Sequence, residues 1–209
     1  MYTLIIVDDH PTIRLAVKAI FEQTGRYKIV GEASNGASGI ELVRQHNPSL
    51  VIADLDLPNL NGLEVIIRVR AISPGTKILV LSAQDEEIFG LRTAKAGASG
   101  FVNKNQDLTS IVNAADSVLG GYAHFPASTL TALTASPLQT SENELEQLTD
   151  KELIVLQYLA RGLSHMEIAE LMLISNNTVS SHKIRIFEKL GISTVVELVD
   201  FARKNNVAF

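Results

Sequence analysis

The chain has 209 residues, longer than most single domains, and 46% of them are hydrophobic, enough to build one or two cores. It has no cysteine, which excludes disulfides, thiolate catalysis and cysteine-held metals and suits a reducing compartment. The net charge of −5 argues mildly against nucleic acid but hides a gradient: residues 1–121 carry 13 acidic and 11 basic side chains, 122–148 three acidic and no basic, and 149–209 seven of each. Any DNA binding by the last segment must therefore come from a local basic face.

The start, MYTLIIVDDHP, has no basic leader and meets two aspartates early, so it reads as a strand and not as a signal peptide. No apolar run approaches the roughly 20 residues needed to span a bilayer, so a soluble, cytoplasmic protein without a membrane partner is expected. Over the first 120 residues, short β-rich runs at 3–8, 28–32, 50–54, 77–82 and 100–103 alternate with helix-compatible stretches at 12–24, 36–46, 62–70, 86–96 and 107–119. Five βα units with near-continuous apolar strands predict an α/β, doubly wound parallel sheet covered on both faces. From 122 to 148 the text is rich in Ser, Thr and Ala, with two prolines, and reads as a linker whose start packs on the first domain or hangs free. Beyond it only helices are predicted. Thr149 with Glu152, and Ser164 with Glu167, form capping boxes; Ser175 caps NNTVSSHKIRIFEKLG, which stops at Gly191, and TVVELVDFARKN follows. Two short helices joined by a tight turn at Ile174 and Ser175 suggest a helix-turn-helix inside a four-helix, all-α domain.

Chemistry concentrates where the strands end. Taken singly, Asp8, Asp9 and Asp54 are ordinary turn-and-cap residues. In an open α/β sheet, however, the crevice lies beyond the carboxyl ends of the strands, which brings Asp8, Asp9, Asp54, Ser82 and Lys104 together. Carboxylates gathered there repel one another unless a cation joins them, and a hard divalent ion, best magnesium, fits that donor set. The DD pair, D-x-x-x-P over Asp54 to Pro58 with a later Gly, the strand-ending Ser and G-F-V-x-K together resemble the receiver domain of two-component response regulators over about the first 120 residues.

That resemblance implies that Asp54 is the phospho-accepting nucleophile. Asp9 would bind Mg2+ directly, Asp8 directly or through water, and Asp54 with the Asp56 backbone carbonyl would complete the metal site. Physical chemistry agrees: magnesium and the Lys104 ammonium would cancel charge on the transferring group, and the Ser82 hydroxyl can donate to a phosphoryl oxygen. Phe101 matches the aromatic switch position of receivers, against the simpler reading of strand packing. His10 reads as a turn residue. A competing reading takes D-x-D, Asp54 and Asp56, as the centre of a haloacid-dehalogenase-like phosphohydrolase. In that family the D-x-D opens the domain and the acidic pair comes late, the reverse of the order here.

The segment LTDKELIVLQYLARGLSHMEIAELMLISNNTVSSHKIRIFEKLGIST resembles the LuxR-type helix-turn-helix throughout. Receiver plus this module is the NarL/FixJ class of response regulators, with a look closest to its BvgA/EvgA branch. At about 100° per residue, Val179, Ile186 and Leu190 share the core side with Phe187 beside them. The opposite side carries Ser180, Ser181, Ile184, Arg185 and Glu188. Arg185 is the expected guanine reader, the serines donors to bases or phosphates, and Ile184 a contact for a thymine methyl. Asn176, Asn177 and Thr178 at the helix start suit phosphate, Lys183 is expected to pack its stem and extend its head to phosphate, and Lys189 is a further DNA candidate. His182 is expected as a satisfied packing histidine. Many LuxR-type domains carry Lys where Ser180 stands, so a single half-site should bind weakly, and dimerisation through TVVELVDFARKN would supply the missing affinity.

The expected protein is thus not an enzyme but a DNA-binding regulator with a receiver at 1–121, a linker at 122–148 and a DNA-binding domain at 149–209. The resemblance implies a sensor histidine kinase, double-stranded promoter DNA and a second copy of the chain as partners, with RNA polymerase open as another. A constitutive regulator with a vestigial phosphosite is the remaining alternative, and nothing in the sequence favours it.

Overall fold

The structure is a computed structural model that describes residues 1–58, 60, 62–134, 144–205 and 207. Five strands, β1 (Tyr2–Val7), β2 (Tyr27–Ala33), β3 (Leu50–Ala53), β4 (Lys77–Ser82) and β5 (Gly100–Asn103), form one parallel sheet in the order β2-β1-β3-β4-β5. Because side chains alternate along a strand, the apolar runs serve two faces. Leu4, Ile6, Leu50, Ile52, Leu79, Leu81 and Val102 pack on one side with α1 (Pro11–Gln23) and α5 (Ser110–Leu119), through Phe21, Ile111, Ala114 and Val118. The intervening residues, Ile5, Val51, Val80 and Phe101 among them, point to the other face, where α2 (Gly36–His46), α3 (Gly62–Ile72) and α4 (Glu86–Ala96) lie. Each large side chain so buried contributes about 1.5 to 3 kcal/mol. Helix α5 begins at Ser110 and not at 107, because the Asp107 carboxylate accepts from the Thr109 N–H (3.0 Å) and holds a turn there.

This strand order places a switch of winding direction between β1 and β3, and the ligand crevice of such sheets opens at that point. Val7 is in register with Ala53, and the Asp54 N–H donates to the Val7 carbonyl at 2.9 Å. The residues that follow, Asp8 and Asp54, therefore meet across the crevice.

The connecting segment differs from the expected linker. Residues 122–126 run along the outer edge of β5, and Ala127–Thr134 form a helix, α6, packed on α4. The first compact unit consequently extends over Met1–Ala135, and the second over Ser136–Phe209. Ala and Leu within ASTLTALT favour a helix once a surface holds it, a capacity masked by the Ser and Thr content. A 3-10 turn at Glu144–Gln147 precedes the second core, and the rest of the expected linker, 135–143, lies outside the described residues.

In the second unit, α7 (Asp150–Ala160), α8 (His165–Leu171), α9 (Asn176–Leu190) and α10 (Val195–Lys204) enclose Leu153, Leu156, Ile168, Val179, Ile186, Leu198 and Ala202. Both expected capping boxes form, a third joins Thr194 to Glu197, and Ser175 caps α9 by accepting from the Thr178 N–H at 3.1 Å. Among the described residues no helix is long and apolar enough to cross a membrane.

Candidate functional site

At the mouth of the crevice the Lys104 ammonium lies 2.6 Å from Asp54 Oδ2 and 2.7 Å from Asp8 Oδ2, joining strand ends 1, 3 and 5. Both aspartates are buried, at 2% exposure for Asp8 and 1% for Asp54. Burial pushes the Asp54 carboxyl up to about 6; Lys104 opposes this, and Asp8 and Asp56 add to it. Burial alone would lower the Lys104 ammonium, but the two carboxylates outweigh it and hold its pKa above the ordinary value. The second Asp54 oxygen, Oδ1, accepts from the Leu55 N–H at 2.7 Å. Neighbouring groups fix the floor. Arg14 donates to the Asp8 carbonyl at 2.6 Å, and the chain turns back so tightly at Gly62 that a Cβ there would stand 2.3 Å from the Asp54 carbonyl oxygen.

The donor set fits a hard divalent cation. One ligand atom each from Asp8, Asp9, His10 and Asp54 lies within 4.8 Å of the others. Asp8 Oδ2 and Asp9 Oδ1 are buried without an aligned hydrogen-bond donor, and meet only the ion-pair contacts of Lys104 and of His10 Nδ1, the latter 2.6 Å from Asp9. Oxygen-rich, anionic and incompletely satisfied, such a cluster suits magnesium. His10, expected as a turn residue, does begin α1 as its N-cap, but its ring also faces the acidic pair. Its adjacency to Asp8 and Asp9 was the available signal.

Ser82 is fully buried, and its hydroxyl oxygen accepts from the Gln84 N–H at 3.2 Å. Gln84, which the sequence did not single out, also donates through Nε2 to the Asp56 carboxylate at 2.8 Å and accepts at its carbonyl from Asn103 (3.1 Å). Asp56 thus has a side-chain partner in addition to its expected backbone role. Phe101 is 2% exposed, its ring on the α4 face of the sheet.

In the second unit, α9 turns Val179 and Ile186 into the core and leaves Asn176, Asn177, Ser181, Ile184, Arg185 and Glu188 exposed, as helical geometry predicts. Thr178 shares a hydrogen bond with Ser175 (2.8 Å), and the Ser180 hydroxyl pairs with His165 Nδ1 of α8 at 3.2 Å. Two lysines differ from expectation. The Lys183 ammonium sits 5.3 Å from the centre of the Phe187 ring, a cation–π contact. Lys189, expected at DNA, instead lies 2.6 Å from the buried Glu152 of α7. A carboxylate buried in a helical core needs a cation within reach, and Lys189 is that cation. His182 does pack inward, but its Nδ1 is buried with no hydrogen-bond partner, so it is not the satisfied histidine expected. Burial lowers its pKa, and Arg185 and Lys151 add to this against Glu152.

A doubly wound domain with an acid–lysine crevice at its switch point, followed by a helix-turn-helix unit, defines a signal receiver joined to a DNA-binding module. Residues 4–116 match the response regulator receiver domain and residues 146–202 the luxR family of bacterial regulatory proteins, and the chain belongs to the response-regulator family, in its NarL/FixJ class. It is 40% identical over 206 residues, 98% of each chain, to the virulence-factor transcription regulator BvgA of Bordetella pertussis. To the DNA-binding transcriptional activator EvgA of Escherichia coli K12 it is 34% identical over 203 residues, 97% of this chain and 98% of that one. RcsB of Salmonella enterica serovar Typhimurium, solved bound to promoter rprA in the presence of the phosphomimetic BeF3-, shares the fold at 23% identity. Its TM-score is 0.61, with 97% of this chain and 99% of that chain covered. The chain is a transcription regulator with a receiver and a LuxR-type DNA-binding domain.

Proposed function

We propose that Asp54 accepts a phosphoryl group from a sensor histidine kinase and that this controls binding of promoter DNA by the second unit as a dimer. The observation that carries the reading is the joint contact of Lys104 with Asp54 and Asp8 at the switch point of the sheet. In the transfer, an Asp54 carboxylate oxygen attacks phosphorus. The new P–O bond forms as the P–N bond of the donor phosphohistidine breaks, and the departing imidazole nitrogen keeps the electron pair and takes up a proton. Lys104 neutralises charge on the transferring oxygens, and the Ser82 hydroxyl turns from Gln84 to donate to one of them. Asp8, Asp9, Asp54 and the Asp56 carbonyl would hold magnesium, which when bound would add positive charge to stabilise the transferring oxygens.

On DNA, Arg185 reads a guanine edge, Ile184 and Ser181 contact neighbouring bases, and Asn176, Asn177 and Thr178 position phosphate at the start of α9. Ser180 reaches the backbone together with its partner His165, and Lys183 follows by swinging off Phe187. The second unit has no net positive charge, so one copy binds weakly, and α10, with Val196 71% exposed, supplies the contact between two copies.

The test exposes wild type and Asp54→Asn to a small-molecule phosphodonor with and without magnesium, reading intact mass and sedimentation on the same samples. One phosphoryl group added to wild type alone, only with magnesium and with a shift toward dimer, is expected. Equal labelling of Asp54→Asn would remove Asp54 from its role, and steady phosphate release without adduct would favour a phosphohydrolase.

A further inference from the structure

His10 stands where the acidic crevice meets the start of α1, and its ring turns toward the crevice. Its N–H donates to Asp8 Oδ1 at 2.9 Å and Pro11 follows it, so the backbone that carries the ring is fixed on both sides. As the N-cap of α1 it makes no side-chain capping bond. Nδ1 instead lies 2.6 Å from Asp9 Oδ1 and 3.4 Å from Asp8 Oδ1. The contact with Asp9 is close but is not a hydrogen bond: Asp9 Oδ1 is buried without an aligned donor, and so is Oδ2 of Asp8, a side chain 2% exposed. Lys104 meets Asp8 through Oδ2, on the side of Asp54, which leaves Oδ1 to the side of α1. Two ligand atoms that face each other so closely without an aligned proton repel, and a cation bound to both turns that repulsion into attraction.

One ligand atom each from Asp8, Asp9, His10 and Asp54 lies within 4.8 Å of the others, close to the roughly 4.2 Å between opposite ligands of one small divalent ion. Among the described residues this is the one group of three or more His, Asp and Glu side chains that converges in this way. What His10 adds to the set is nitrogen. Magnesium demands near-ideal octahedral oxygen ligands, keeps several of its waters and gains little from an imidazole. First-row transition ions accept imidazole beside carboxylate, with affinity rising from Mn2+ through Co2+ to Ni2+ and Cu2+. The His10 side chain is 63% exposed, so an ion can approach it with part of its water shell.

We propose that the crevice is a binding site for a first-row divalent transition ion, with His10 Nδ1 as its nitrogen ligand beside Asp8 and Asp9, and that this ion competes there with magnesium. The same carboxylates cannot hold both ions at once, and His10 is the residue that distinguishes between them. This rests on the metal site proposed above but needs no phosphoryl transfer, since it concerns binding alone.

Co2+ and Mg2+ are the probes, titrated separately by calorimetry into full-length wild type, His10→Ala and Asp9→Asn with no phosphodonor present. His10→Ala costs no capping bond, and its Mg2+ affinity reports whether the crevice is still formed. Wild type is expected to hold Co2+ at a single tight site, with affinity falling about tenfold or more in His10→Ala. Mg2+ affinity should stay within about twofold in that variant, and Asp9→Asn should lose both ions. Proton spectra of Co2+-loaded wild type should carry hyperfine-shifted imidazole resonances that His10→Ala lacks and that excess Mg2+ removes. Unchanged Co2+ affinity in His10→Ala, or shifted resonances that persist in it, would overturn the role of His10. Equal losses for the two ions would overturn it as well, because a ring that only positions Asp9 serves both alike. Co2+ held through His10 with no Mg2+ binding would support the transition-metal site while overturning magnesium in the reading above.

Discussion

Lys189 and Arg185 lie four residues apart on α9 in different surroundings. Arg185 is exposed, whereas the Lys189 ammonium is held by Glu152. Lys189→Met leaves the Glu152 carboxylate buried without its cation and is expected to destabilise the second unit by about 1 to 3 kcal/mol, less than for a fully buried pair because Lys189 itself is partly in water. Denaturant unfolding measures that loss. The salt dependence of DNA binding should meanwhile keep its slope, whereas loss of a phosphate-contacting lysine would lower the slope by about one. Arg185→Ala should instead leave stability within about 0.5 kcal/mol. It should cost about 1 to 3 kcal/mol of DNA affinity and relax base preference at one position, and binding-site selection on mutant and parent reads that directly.

At the scale of the element, α7 is held by its start. The Glu152 carboxylate accepts from the Thr149 N–H (2.8 Å) and from Lys189, so although burial alone would raise its pKa, these partners hold it below the ordinary 4.5. For an acid with a lowered folded pKa, the stabilisation is present above 4.5 and is lost as pH falls through the lowered value. The denaturation midpoint of the second unit should therefore drop on acidification below that ordinary value. Glu152→Gln should be less stable at neutral pH and show a flatter acid limb, and midpoints of both proteins across a pH series check this. In the first unit, α3 begins at Gly62 against the backbone of Asp54 and Leu55, where a Cβ would stand 2.3 Å from one carbonyl oxygen and 2.6 Å from Leu55 Cα. Neither neighbour is a side chain that can turn aside. Gly62→Ala is expected to cost more than about 2 kcal/mol on denaturant unfolding, through strain at the turn that follows Asp54.

For the whole molecule, charge and partner number are linked. Residues 149–209 carry seven acidic and seven basic side chains, and 122–148 add three acidic ones and no cation, so a single copy offers DNA phosphates little net attraction. Two copies on two half-sites gain affinity through effective concentration without any new DNA contact. Val196→Asp, a change at an exposed position on α10, should lower affinity for DNA carrying two half-sites by about tenfold or more while leaving single half-site affinity nearly unchanged. Titrations against the two DNA lengths separate these effects. Equal losses on both would mean that α10 acts within one copy, by supporting the core around Leu198 and Ala202.

What could be read in the sequence had short range or a fixed period. Apolar runs ending in Asp8, Asp54 and Ser82, together with Lys104 one residue past the last strand, locate the crevice because parallel strands all deliver their carboxyl ends to one edge. The buried side of α9 follows from 3.6 residues per turn, and the caps at Thr149, Ser164 and Ser175 from residue types at fixed offsets. Tertiary structure decided what depends on neighbours distant in the chain. The Lys189–Glu152 pair spans 37 residues and two helices, and a helical projection shows which way a side chain points but not what stands opposite. Gln84 meets Asp56 only because two strand ends converge, and a Ser- and Thr-rich segment forms an isolated bridge to β5 and a helix only because β5 lacks an outer neighbour and Gly90 leaves room for Thr129. Periodicity assigns each residue a direction; the free energy of its contact depends on the partner that folding places there.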